Sequence, residues 1–145
     1  NKLSIQIGLD ILALCSTPGL FFGRIANFIN GELYGRATTV PWSMKFPSGG
    51  EITRHPSQLY EAGLEGLLLL TLCYIVFQKF YKEGRVFLTF VVGYSICRFL
   101  IEFTREPDAH LGLFAFQLSM GQYLCIGMLV LGGLWHYAQH KKLLH

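Results

Sequence analysis

The chain has 145 residues, 52% hydrophobic and 14% charged, with a mean hydropathy of +0.40 and a formal net charge of +3. Soluble domains carry about 25% charged residues, so this composition excludes an ordinary soluble globule. A charge of +3 is too small to argue for nucleic acid as a partner. The apolar residues gather in four stretches: Ile5 to Phe22, Leu59 to Phe77, Val86 to Phe103, and Tyr123 to Tyr137, the last beginning near Leu118. A helix needs roughly 20 mostly apolar residues to cross a bilayer. The pattern predicts an all-α, polytopic membrane protein with about four transmembrane helices in a single transmembrane domain over 1–145.

The first stretch carries Asp10 mid-run and has only Lys2 ahead of it. It meets polar residues without a small-residue cleavage site, so it reads as a retained helix rather than a signal peptide. A start at Asn1 rather than Met implies an upstream part. Pro18-Gly19 favours a kink. Gly19 with Gly23, and Gly31 with Gly35, have the spacing that lets helices approach closely in lipid; chance is the competing reading in a chain with 16 glycines.

The run Gly23 to Arg36 then places Arg24, Asn27, Asn30, Glu32 and Arg36 at the end of an apolar helix. Ionisable groups at membrane depth are costly and mark functional sites. Arg24 and Asn27 are three apart and share a face. Asp10 requires a partner or a water-filled cavity.

Residues 36–56 form the sizeable polar loop, broken by Pro41, Pro47, Ser48-Gly49-Gly50 and Pro56. It is too short for its own core and reads as an ordered outer loop with one short hairpin. Tyr34, Trp42, Phe46 and Tyr60 suit a water–lipid boundary.

Helix two opens at Arg54-His55-Pro56-Ser57-Gln58-Leu59-Tyr60-Glu61 and carries Gln58, Glu61 and Glu65 on one face. Ser57 is a candidate cap, and His55 a candidate proton carrier. Helix three carries Tyr94, Arg98, Glu102 and Arg105 on one face. Its two arginines against one glutamate leave a positive charge for a ligand. Arg24, Arg98 and Arg105 together have the planar forks that bind phosphate bidentately, which suits a phospholipid headgroup.

Lys2, Lys79, Lys82, Arg85, Lys141 and Lys142 fall on one side of a four-helix topology, in short segments. Arg36, Lys45, Arg54 and Arg105 fall on the other, diluted by Glu32, Glu51, Glu106 and Asp108. The positive-inside rule places the first side, with the carboxyl end, in the cytoplasm. The polar cluster then faces the outer leaflet. Cys15, Cys73, Cys97 and Cys125 lie in separate apolar stretches without metal-ligand spacing, and no metal site is expected.

The run Gly23 to Arg36 resembles the signature of the prolipoprotein diacylglyceryl transferases, bacterial inner-membrane enzymes. The resemblance continues through Pro41-Trp42, Phe46-Pro47, Arg54 to Glu61, Arg98 with Glu102, Arg105-Glu106-Pro107-Asp108 and Ser119-Met120-Gly121-Gln122. It implies transfer of the diacylglyceryl group of phosphatidylglycerol to the lipobox cysteine thiol of prolipoprotein signal peptides. A thioether forms, glycerol phosphate leaves, and no cofactor takes part. It implies further that Arg24 binds the headgroup, that Asn27 and Gly35 are signature positions and that Glu32 is an important acid. Arg98 becomes the second key arginine, with Glu102 beside it. Tyr94 and Arg105 join the substrate-binding set, and His55 or Glu61 is this chain's candidate base.

Two departures stand out. Ala26 replaces a glycine that many members have. The chain is also half the length of a seven-helix family that carries a His-Gly-Gly motif and an important tyrosine elsewhere. It is therefore expected to be the C-terminal portion. The competing functions are a catalytically incomplete fragment and a membrane transporter for anions or lipids that uses the same arginines.

Overall fold

The computed structural model describes residues 4–106 and 118–142. Lys2, Pro107 and Asp108 lie outside the described residues. Four long helices form the body. They are α1 (Ile5–Asn30), α2 (Ser57–Lys79), α3 (Arg85–Ile101) and α4 (Met120–Lys142). Within α2 the backbone from Ala62 to Leu68 is wound as π-helix. α1 and α2 are each long and apolar enough to cross a membrane. The all-α architecture expected from the apolar stretches is what folds.

The surface confirms which solvent these helices meet. Leu12, Phe22, Ile29, Leu67, Leu72, Tyr74, Leu124, Val130 and Leu131 are exposed, whereas Asp10, Gln58, Glu61, Glu65, Glu102 and Gln122 are buried. Such an apolar exterior around a polar interior would aggregate in water. It is stable where lipid covers the outside and polar groups satisfy one another within.

Helix ends follow local chemistry. Ser4 Oγ accepts from Ile7 N–H and starts α1. Gly31, at φ 68°, ends it by returning its N–H to the last turn. Pro18 lies inside α1 without ending it. Arg24 and Asn27 thus belong to the last two turns of α1, at the helix end where the sequence placed them, beyond the apolar stretch that closes at Phe22. Ser57 does not cap α2, because its hydroxyl donates to the Leu33 carbonyl at 3.2 Å and ties the loop to the helix. The four-residue steps predicted Arg105 on helix three, but α3 ends at Ile101 and Arg105 lies in the strand-like segment beyond it.

Asp10 finds its partner at the opposite end of the molecule from the arginines. Gly84 precedes α3 at φ 81° and offers no side chain for capping. Asp10 accepts the Gly84 and Phe87 N–H groups, each at 2.8 Å, and so caps α3 from α1. This arrangement satisfies the carboxylate and two helix donors together. Asp10→Ala is expected to lower stability by about 1–2 kcal/mol, measured as a lower midpoint of thermal unfolding in detergent.

The loop 36–56 contains isolated bridges, Ala37 to Arg54 and Met44 to Arg54, rather than a hairpin. Phe46 is buried between Phe28 and Tyr34 instead of lying at a boundary. Trp42 does stay exposed, and its indole donates to Tyr60 Oη at 2.6 Å.

Candidate functional site

Three segments that are distant in sequence are clasped together beyond the ends of α1 and α3 and the start of α2. Gly35 N–H donates to the His55 carbonyl at 2.9 Å, and Arg36 N–H to the Thr104 carbonyl at 2.9 Å. Arg36 Nε reaches the Arg105 carbonyl at 2.6 Å, and Arg54 pairs with Glu106 at 2.5 Å while stacking over Tyr34. Gly35 lies at the centre, where a Cβ would fall 2.8 Å from His55 Cβ and against the Thr104 carbonyl oxygen. Only glycine lets these backbones approach so closely. The clasp draws the polar faces of three helices to one point.

At that point lies a network of three arginines and three glutamates. Arg24 Nε is 2.6 Å from Glu61 Oε2, and Arg24 Nη2 is 3.7 Å from Glu65 Oε2. Arg98 Nη1 is 3.6 Å from both Glu61 Oε1 and Glu65 Oε1, and its Nη2 is 3.2 Å from Glu102 Oε2. Arg105 Nη1 approaches Glu61 Oε1 at 3.6 Å. Glu61 and Glu65 are about 1% and 0% exposed.

The expected surplus of positive charge on helix three is therefore absent. Glu61 and Glu65 of α2 balance the second and third arginines, because tertiary packing supplies countercharge that spacing within one helix cannot reveal. Such an arrangement lowers the desolvation cost of each ion. It leaves each arginine with spare donors, five N–H groups per guanidinium.

The start of α4 steadies the network. Ser119 and Gln122 form a reciprocal capping box, Gln122 N–H donating to Ser119 Oγ at 3.3 Å and Ser119 N–H to Gln122 Oε1 at 3.0 Å. The Ser119 hydroxyl donates in turn to Glu102 Oε1 at 2.9 Å. A Cβ on Gly121 would press on the same carboxylate at 3.2 Å. Glu102 is thus aimed at Arg98 from two sides.

An open cleft of about 630 Å³ runs from the network between α1, α3 and α4. Arg24 and Asn27 line its polar end, while Leu20, Phe90, Tyr94 and Met128 line the apolar remainder. Tyr94 stacks on Phe90 with ring centres 5.9 Å apart. Gly19 and Gly23 also line this cleft, and no described atom lies within 4 Å of where a Cβ would project from either. Their spacing serves an open groove among the described residues, not a helix–helix contact.

The structure thus brings together Arg24, Glu61, Arg98, Glu102 and Arg105, and places Asn27 and Tyr94 beside them. Glu32 is exposed, and its carbonyl accepts from Gln58 Nε2 at 2.6 Å. His55 is half-buried in the clasp, with Nδ1 3.3 Å from Tyr60 Oη. The four-residue step from Glu61 put Glu65 on the same face in the sequence, without assigning it a place among the site residues. Sequence reasoning missed Ser119 and Gln122 as supports; their S-x-x-Q pattern was a legible helix-start signature. Among the described residues no group of His, Cys, Asp and Glu is arranged to hold a metal ion.

The fold and site define a membrane-embedded helical protein with a buried charge network at the head of an apolar cleft. A family model described as prolipoprotein diacylglyceryl transferase matches residues 1–138. The chain is 56% identical over 128 residues to the phosphatidylglycerol–prolipoprotein diacylglyceryl transferase of Idiomarina loihiensis, covering 88% of this chain and 48% of that protein. It is 52% identical over 132 residues to the enzyme of that name from Geobacter sulfurreducens, covering 91% and 51%. For the Photobacterium profundum protein of that name the values are 48% over 145 residues, 98% and 54%. The chain belongs to the prolipoprotein diacylglyceryl transferase family. It spans about half the length of the curated relatives it matches.

Proposed function

We propose that the protein transfers the diacylglyceryl group of phosphatidylglycerol to a prolipoprotein, as the names of its relatives describe for them, and that the acceptor is the lipobox cysteine thiol of the signal peptide. The observation that carries this reading is the position of Arg24, which belongs both to the charge network and to the polar end of the apolar cleft. A phospholipid has that same division, an anionic headgroup joined to hydrocarbon. In this reading the phosphate accepts from Arg24, Asn27 and Arg98, and the acyl chains follow the cleft past Phe90 and Met128.

The chemistry follows from that placement. The thiolate sulfur attacks the glyceryl carbon that bears the phosphate ester; the C–S bond forms as the C–O bond breaks, and glycerol phosphate leaves with the electron pair. The thiol proton passes to a base, since thiolate is the nucleophile. Charge grows on the departing phosphate, where fixed guanidinium donors stabilise it most. Arg105, Glu61 and Glu102 hold the two phosphate-facing arginines in place. His55 and Glu61 are this chain's candidate proton acceptors, and Glu32 and Gly35 shape the approach to the site. No cofactor is required by this step.

The localisation that fits this substrate is the bacterial inner membrane, with several crossings. Lys79, Lys82 and Arg85 then face the cytoplasm together with the carboxyl end, and the arginine network faces the outer leaflet. In this reading the chain forms the C-terminal portion of the enzyme. The test uses the full-length protein with phosphatidylglycerol labelled in its glyceryl backbone and a lipobox peptide. Label is expected on the peptide cysteine as a thioether. Label that stays in lipid while the protein remains folded would overturn the reading.

A further inference from the structure

Glu65 lacks the short ion-pair contact that Glu61 and Glu102 each have. Its side chain is fully buried, and its ion-pair contacts are the long ones, 3.7 Å to Arg24 and 3.6 Å to Arg98. Neither of its oxygens, like those of Glu61, accepts a hydrogen bond among the described residues, so the ion-pair distances distinguish the two. Glu61, one turn earlier, has a 2.6 Å contact with Arg24 and further contacts with Arg98 and Arg105. Glu102 has Arg98 at 3.2 Å and the Ser119 hydroxyl. Glu65 therefore depends chiefly on the two arginines that the lipid phosphate would engage, its only ion-pair contacts among the described residues.

Among the described residues the groups that face it include one further cation, Arg105, which makes no ion-pair contact with it. Arg24 approaches from α1, and Glu61 from its own helix adds a like charge. Tyr94, Cys97 and Arg98 approach from α3, and Arg105 from the segment beyond it; Cys125 approaches from α4. The formal charges of the three arginines and three glutamates cancel before a ligand arrives. A phosphodiester adds one negative charge to a water-poor site. A buried carboxylate that loses its countercharge neutralises by taking up a proton.

We infer that binding of an anionic phospholipid headgroup at Arg24 and Arg98 is coupled to protonation of Glu65. This rests on the phosphatidylglycerol reading above and adds to it a residue that senses occupancy of the site. The proton comes from solvent, and Glu65–COO⁻ becomes Glu65–COOH as the arginines turn to the phosphate. Protonation removes the residue that competes for both guanidiniums, so the occupied site stays neutral. The π-helical turn that carries Glu65 is an irregularity often found at functional sites.

The test titrates phosphatidylglycerol into the full-length protein in detergent across a range of pH. The lipid is a suitable probe because its phosphodiester does not titrate near neutrality, unlike glycerol phosphate. Wild-type affinity is expected to fall as pH rises, approaching about tenfold per pH unit for one proton. Glu65→Gln, which mimics the neutral acid, is expected to bind with little pH dependence and more tightly than wild type at high pH. A wild-type slope that survives in folded Glu65→Gln overturns the proposal, as does the absence of a slope in the wild type.

Should Glu65→Gln fail to fold, calorimetry on the wild type in buffers of different ionisation enthalpy counts the protons directly. About one per lipid is expected, and zero overturns the coupling. Lipid binding with normal transfer but no proton uptake defeats this inference alone. Failure to bind the lipid at any pH defeats the phosphatidylglycerol reading and this inference with it.

Discussion

Arg24→Ala in the full-length protein is expected to lower diacylglyceryl transfer about a hundred- to a thousandfold, the scale of losing a principal donor to a developing oxyanion. Two effects combine. The phosphate loses a bidentate donor at the mouth of the cleft, and Glu61 loses its 2.6 Å partner while Glu65 loses one of two. Stranding buried carboxylates costs about 3–5 kcal/mol, so a lower unfolding midpoint should accompany the lost activity. Arg24→Lys is expected to restore part of the stability and little of the transfer, because an ammonium keeps the charge without the planar fork. Wild-type incorporation of labelled lipid by folded Arg24→Ala would remove Arg24 from the site.

Gly35→Ala is expected to have the largest effect on folding. The added methyl meets backbone on two sides, the His55 carbonyl oxygen at 2.9 Å and the Thr104 carbonyl oxygen closer still. Backbone cannot rotate away as a side-chain tip can. The expected cost is about 3 kcal/mol or more, at the upper end for overpacking. Transfer should be lost with it, because the clasp sets how the arginine-bearing segments converge. Gly133→Ala is the control: nothing described lies within 4 Å of its Cβ position in α4, so helix propensity alone should make it neutral or slightly stabilising. Thermal unfolding of the two variants in the same detergent decides the matter. Equal midpoints would show that the clasp can open without consequence.

These variants separate two kinds of signature residue. Arg24 and Asn27 stand at the cleft, where a ligand would touch them. Gly35, Arg54, Thr104 and Glu106 hold backbone to backbone. In sequence Arg24, Asn27 and Gly35 fall within one polar run, with nothing to tell the two kinds apart. Glu32, an acid in the same run, is exposed and enters the described hydrogen bonds through its backbone N–H and carbonyl.

The membrane class was legible because it depends on composition: 52% hydrophobic and 14% charged residues leave too little polar surface for water. The helices were legible for the same local reason, since long apolar runs and glycine or serine ends specify them one segment at a time. Convergence of the faces of Glu61 with Glu65 and of Arg98 with Glu102 was half-legible, because helical periodicity aligns residues four apart. The π-helical turn at Ala62–Leu68 was not. It arises where Gly66 meets the Phe21 backbone on α1, a close approach between helices that no single segment encodes.

By itself, then, the sequence determined an all-helical membrane chain with arginines held at a cost that only function or pairing explains. The tertiary structure decided which explanation applies to each charge. Asp10 became a cap for a distant helix, Arg105 left its helix yet still reached Glu61, and three arginines met three glutamates rather than one. The physical reason is range. Propensity and hydropathy act over a few neighbouring residues, whereas the cost of a buried ion depends on every charge within several ångströms, whichever helix supplies it.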